Sequence, residues 1–157
     1  MLKFHDYNIV FQEVPEEVTL AVNISNCPNR CAGCHSPHLM EDTGDILDEN
    51  SLEILLKKYG DAVTCVCFMG GDSSPDDLVR LSKYIKKYNK KTAWYSGKSE
   101  LYESALPCFD YIKLGAYFKE LGGLSAPTTN QRFYRIENKM MIDETDKFWK
   151  KTDNSVS

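Results

Sequence analysis

No apolar run in this chain of 157 residues approaches the ~20 residues that a membrane-spanning helix requires, so no membrane partner is expected. The opening stretch MLKFHDYNIV lacks the apolar core and small-residue cleavage site of a secretory leader. Positive charge is not in excess either. There are 19 Lys and Arg against 23 Asp and Glu, and a formal net charge of −4 offers no general attraction to nucleic acid or anionic lipid. Lys86, Lys87, Lys90 and Lys91 do cluster, but they alternate with Tyr84, Ile85 and Tyr88 at helical spacing and read as a solvated helix face. Internal repeats and low-complexity linkers are absent. The expectation is one domain over residues 1–150, with a polar tail at 151–157 that frays.

What the chain does have is six cysteines, three of them crowded into one stretch, NISNCPNRCAGCHSPH. Without a leader, a reducing, cytoplasmic setting is expected, where clustered cysteines point to metal or catalysis rather than disulfides.

The surrounding pattern alternates strands and helices. VTLAVNI, residues 18–24, reads as a short buried strand, and the cysteine stretch follows it directly. Asp48 or Asn50 caps a helix over 51–58 whose apolar face is Leu52, Leu55 and Leu56. AVTCVCF, 62–68, is the next strand and runs into MGGD. Pro75 opens a helix to about Tyr88, with Leu78, Leu81 and Ile85 on one face. TAWYS, DYIKLG and RFYRIE read as further strands, and NKMMID adds a possible sixth. This rhythm implies a parallel sheet with right-handed crossovers. Too few strands exist for a closed eight-stranded barrel. An open, partial α/β barrel of about five to six mostly parallel strands, or a doubly wound sheet, remains. In either, ligands bind at the carboxyl ends of the strands, where the cysteines, MGGD and YSG all fall.

Cys27, Cys31 and Cys34 stand alone as a tight triad. A structural zinc site wants four ligands, commonly as two separated pairs. His35 or His38 is the nearest fourth candidate. Cys65 and Cys67 lie one residue apart in a strand, facing one side, and read as small buried hydrophobes; Cys108 is distant. A cubane iron–sulfur cluster held by three thiolates instead leaves its fourth iron to a non-protein ligand, and an open position marks a catalytic metal.

The Cys-x3-Cys-x2-Cys pattern after the first strand resembles the radical S-adenosylmethionine (SAM) superfamily. MGGD is similar to that superfamily's Gly-Gly-Glu element, with Asp72 in the last place; Gly33 stands where many members carry an aromatic residue. NCPNRCAGCHSP, CFMGGD, AWYSG, YIKLG and TTNQRFYR, in that order, resemble the family of activating proteins of anaerobic ribonucleoside-triphosphate reductase, from about residue 11 to 149. The resemblance implies a [4Fe–4S] cluster on Cys27, Cys31 and Cys34, with SAM chelating the open iron. One electron, from a donor such as flavodoxin or ferredoxin, then cleaves SAM to methionine and a 5′-deoxyadenosyl radical. That radical removes hydrogen from a backbone glycine of the reductase, the protein substrate. The SAM site it implies comprises Gly33, Cys34, His35, Gly70, Gly71, Asp72, Ser96 and Lys113. The loop KELGGLSAPTTNQ is expected to help receive the glycine-bearing segment.

Plainer readings stand beside these. Gly70 and Gly71 suit a tight turn, Ser96 a turn cap, and His35 a surface position. Lys113 lies in an apolar strand, where an unpaired ammonium is costly, and is expected at the barrel mouth against a carboxylate of SAM or of the protein. Asn130, Gln131 and Arg132 enter only through the resemblance. Two rival functions are a small radical SAM enzyme acting on a deazapurine-type molecule and a zinc-stabilised module without catalysis.

Overall fold

Four of the apolar runs lie side by side as the centre of one sheet. The computed structural model describes residues 2–25 and 44–149. The strands are β1 (Lys3–Val10), β2 (Thr19–Ile24), β3 (Asp45–Ile46), β4 (Cys65–Met69), β5 (Lys91–Tyr95), β6 (Tyr111–Leu114), β7 (Arg132–Glu137) and β8 (Met140–Asp143). They form a single mixed sheet in the order β3-β1-β2-β4-β5-β6-β7-β8. Two helices, α1 (Glu49–Tyr59) and α2 (Pro75–Lys86), complete an α/β protein. Among the described residues, no helix is long and apolar enough to cross a membrane.

Each helix begins where local chemistry demands. The carboxylate of Asp48 accepts from the Ser51 amide at 3.0 Å and the Ser51 hydroxyl accepts from the Asp48 amide at 2.9 Å, a reciprocal capping box that supplies two otherwise orphaned donors with partners. Pro75 opens α2 with its preset φ. Leu52, Leu55 and Leu56 of α1 and Leu78, Leu81 and Ile85 of α2 are buried in one cluster with Val66, Phe68, Trp94 and Ile112 of the sheet. Each such side chain contributes roughly 1.5–3 kcal/mol through removal from water.

The sheet departs from expectation at both flanks. It has eight strands, and the pairing is parallel only for β2–β4, β4–β5 and β5–β6; β1–β2, β1–β3, β6–β7 and β7–β8 are antiparallel. β1 escaped the sequence reading because KFHDYNIV buries only Phe4 fully and its register slips between Phe4 and Asp6, which erases the two-residue alternation. β7 and β8 form a hairpin whose turn residues Asn138 and Lys139 both have positive φ, 52° and 64°, the twist that a two-residue hairpin turn needs.

Within the parallel block the order β2-β4-β5-β6 always steps the same way, so the reversal that defines a doubly wound sheet does not occur. With crossovers of one hand, α1 and α2 fall on one face. Among the described residues, the opposite face carries neither α1 nor α2; the short 3-10 helix Thr145–Phe148 packs there through Phe148. This face buries Cys65, Cys67, Ala93, Tyr111 and Phe133 against Val14, which is fully buried. Val14 comes from the β1–β2 connection, a strap folded across this face. The hydroxyl of Tyr95 donates to the Glu13 carbonyl, and that of Tyr111 donates to the Glu17 carboxylate at 2.7 Å.

Candidate active site

Cys27, Cys31, Gly33, Cys34, His35 and His38 fall in residues 26–43, outside the described residues. The chain enters that segment from the carboxyl end of β2. Ser25 is fixed there, its amide donating to the Lys3 carbonyl at 3.0 Å. Among the described residues, no group of three or more His, Cys, Asp or Glu is placed to hold a metal. Burial pushes the thiols of Cys65 and Cys67 far above the usual cysteine range, with the Glu17 carboxylate adding to the effect at Cys65. They face the same side of β4, as expected, and are retained as neutral thiols inside the sheet. A cluster on Cys27, Cys31 and Cys34 would draw on three thiolates, a donor set that fits an iron–sulfur cube with one iron left over.

β4 ends in the MGGD turn, directly beside the end of β2. Gly70 and Gly71 have φ of 105° and 92°, a region that side chains rarely occupy. A Cβ on Gly70 would lie 3.3 Å from the Ile24 carbonyl oxygen, and one on Gly71 would lie 2.7 Å from Leu78 Cδ1. The Gly70 carbonyl accepts from Trp94 Nε1 at 2.8 Å. The positive φ at both positions, with little room for a Cβ, therefore favours glycine there, which is the turn role that the sequence offered beside ligand contact.

Asp72 follows. Its carboxylate accepts from the Ser96 hydroxyl at 2.6 Å through one oxygen and from the Gly97 amide at 2.8 Å through the other. The hydroxyl of Ser96 in turn accepts from the Lys98 amide at 3.1 Å, the capping role foreseen for it. The turn after β4 is thereby latched to the end of β5. On the helix side of the latch, Asp72, Trp94, Ser96, Lys98 and Tyr102 line a recess of about 280 Å³.

On the other face, strand register brings Asn23, Met69, Tyr95 and Lys113 into one transverse row across β2, β4, β5 and β6. Lys113 is 8% exposed. Its ammonium donates to the carbonyls of Ser96 at 3.1 Å and Gly115 at 2.9 Å, and lies 5.6 Å from the centre of the Tyr95 ring. Carbonyl dipoles and a ring face thus meet this cation at the carboxyl ends of β5 and β6. Met69, Tyr95 and Lys113 line a cavity of about 410 Å³, with Glu13 on one side and Tyr117, Leu124 and Gln131 on the other.

The loop 119–131 is stitched to the end of β6. The amide group of Gln131 donates to the Gly115 carbonyl at 3.3 Å and that of Asn130 to the Ala116 carbonyl at 3.1 Å. These two residues therefore fix the loop beside the cavity. Glu13 and Gln12 were missed by sequence reasoning: they lie far in sequence from everything they face. The alternation of Met69, Tyr95 and Lys113 out of the helix-bearing face was the signal available. No family model, curated protein or solved structure matches the chain.

Proposed function

We propose that this protein is a radical SAM activating enzyme that installs a glycyl radical on an anaerobic ribonucleoside-triphosphate reductase. The observation that carries the reading is an adjacency. The strand that leads into the Cys27–Cys31–Cys34 stretch is the immediate parallel neighbour of the strand that ends in Gly70, Gly71 and Asp72. Both ends open on the same edge of the sheet, where α/β enzymes bind ligands. The unidirectional strand order, with α1 and α2 packed on one face, supports reading the sheet as an open α/β barrel.

On this reading Cys27, Cys31 and Cys34 hold a [4Fe–4S] cluster, and Gly33 and His35 flank it. When bound, the cluster supplies one electron to the sulfonium of SAM. The chain's own residues bind and orient. Gly70 and Gly71 allow close backbone approach at the end of β4. Asp72 and Ser96 hold the ends of β4 and β5 at fixed separation. The ammonium of Lys113 gives the neighbouring cavity a positive floor. A flavodoxin or ferredoxin supplies the reducing electron.

The test mixes anaerobically reconstituted protein, SAM, dithionite and the reductase. The expected result is an electron paramagnetic resonance doublet from a glycyl radical. Methionine release without that doublet would overturn the partner assignment in favour of a small-molecule substrate; no methionine release would overturn the reading entirely.

A further inference from the structure

The sheet is open, and its two outer strands differ. β3 at one edge spans only Asp45 and Ile46, too short to template further pairing. β8 at the other edge spans Met140–Asp143, and among the described residues no strand pairs with its outer side. Sheet edges are ordinarily blunted by lysine, proline or a bulge. β8 contains no lysine and no proline, and its register against β7 runs unbroken from Tyr134–Asp143 to Glu137–Met140. Nor does its polarity alternate. Met140, Met141 and Ile142 follow one another, so both faces of this edge are apolar; Met140 is 66% exposed and the other two are half-buried.

The backbone is equally suited to pairing. The Glu144 amide donates to the Phe133 carbonyl at 2.8 Å, which marks these two as a hydrogen-bonded pair. Antiparallel ladders alternate bonded and non-bonded pairs. Arg135–Ile142 and Glu137–Met140 are then bonded across the hairpin, and Met141 directs its N–H and C=O outward.

We propose that β8 is a pairing edge for a second copy of this chain, the two β8 strands running antiparallel about a two-fold axis. The residues themselves select that occupant. Read against itself in the opposite direction, KMMID at 139–143 is self-complementary. With Met141 opposite Met141 of the second copy, two main-chain hydrogen bonds form there. Met140 then meets Ile142, and Lys139 meets Asp143, an apolar centre between opposite charges. One oxygen of Asp143 accepts from Thr145, while the other lies 3.7 Å from Arg132 and is open to a closer cation. An isologous contact of this kind closes at two copies. A lipid surface would cover the methionines but leave the outward N–H and C=O without partners. A contact of one short strand is small, so the dimer is weak and reversible, in the micromolar range. The inference does not rest on the proposed function.

The experiment uses the full chain in reductant, which excludes disulfide-linked pairs, and measures sedimentation equilibrium over a concentration series. The expected result is a monomer–dimer equilibrium. Met141→Pro removes only an outward donor, and Met140→Lys brings an ammonium against Ile142 of the second copy. Each is expected to weaken association by about tenfold or more, whereas Ile54→Ser, an exposed apolar change on α1, leaves it unchanged. Should the β8 variants unfold, hydrogen exchange of the unaltered chain decides. The Met141 amide is expected to exchange about tenfold more slowly once the chain is mostly dimeric, while the Ile142 amide, bonded to β7, stays equally protected throughout. A monomer at every concentration, a dimer that survives both β8 variants, equal weakening in Ile54→Ser, or a Met141 amide already protected in the monomer overturns the proposal. Protection of that amide by the reductase, but not by concentrating the chain, overturns it in favour of a strand from another protein.

Discussion

Ser96 donates its hydroxyl to one oxygen of Asp72 at 2.6 Å, while the neighbouring Gly97 amide reaches the other oxygen at 2.8 Å. Through this single carboxylate, the glycine turn after β4 is joined to the end of β5. The carbonyl of the same Ser96 accepts from Lys113 at 3.1 Å, which extends the connection to β6. Three parallel strand ends are thus cross-linked by three side chains and a pair of backbone groups.

Removing the latch should destabilise the fold. Hydrogen bonds to a charged acceptor contribute roughly 1.5–3 kcal/mol, so Asp72→Ala is expected to lower stability by about 2 kcal/mol. Urea unfolding would show a lower midpoint at unchanged slope. An unmoved midpoint, with only SAM affinity reduced, would mean that Asp72 serves the ligand and not the strand ends.

The thiols of Cys65 and Cys67 are held neutral by burial, well above the usual cysteine range. Since the thiolate is the reactive species, iodoacetamide at pH 8 should leave both unmodified in the folded protein and label both after denaturation. Peptide mass spectrometry reads this directly. Labelling in the folded state would show that the face covered by the strap opens.

Asp77 offers a pH test. The Ser74 hydroxyl beside it lowers its carboxyl below the usual range; burial works against this, and the Arg80 guanidinium adds to the lowering. Its folded value is depressed, so its stabilisation is present above the ordinary aspartate value of about 3.9 and is lost as pH falls through the folded value. Asp77→Asn should therefore be less stable at pH 7 by roughly 0.5–1 kcal/mol, the scale of a charge near a helix start. The gap should close as pH is lowered beneath the ordinary aspartate range. A gap independent of pH would assign the effect to packing.

Much of this architecture is legible in the residues. Asp48 announces the start of α1, and the unbroken apolar run CVCF, where Val66 and Phe68 meet the helices and Cys65 and Cys67 the strap, marks β4 as buried on both faces. MGGD and YSG sit at strand ends, as their glycines suggest. β1 was hidden by its exposed, bulged face, and the strap by distance, since Tyr95 and Tyr111 bond to residues more than eighty positions away. Lys113 lies near the end of β6 on the face that carries Tyr95, and its carbonyl partners depend on the register of β5 against β6. Sequence spacing carries no trace of that register.

The β7–β8 turn gives a stabilising prediction. Lys139 adopts φ of 64°, a left-handed conformation that costs a side-chain-bearing residue roughly 1–2 kcal/mol and glycine little. Lys139→Gly is expected to raise the melting temperature by about 2–4 °C, the shift that ~1 kcal/mol produces in a chain of this size. A lower melting temperature would mean that the lysine side chain makes a compensating contact.

The central claim is that three cysteines, and no fourth residue, hold an iron–sulfur cube. Iron and acid-labile sulfide content of the anaerobically reconstituted chain tests it most directly. The account predicts about four of each per chain, lost in Cys27→Ala, Cys31→Ala or Cys34→Ala and kept in Cys65→Ala and Cys67→Ala. One zinc without sulfide, or a cluster whose loss follows removal of a further side chain such as His35 or His38, would contradict it.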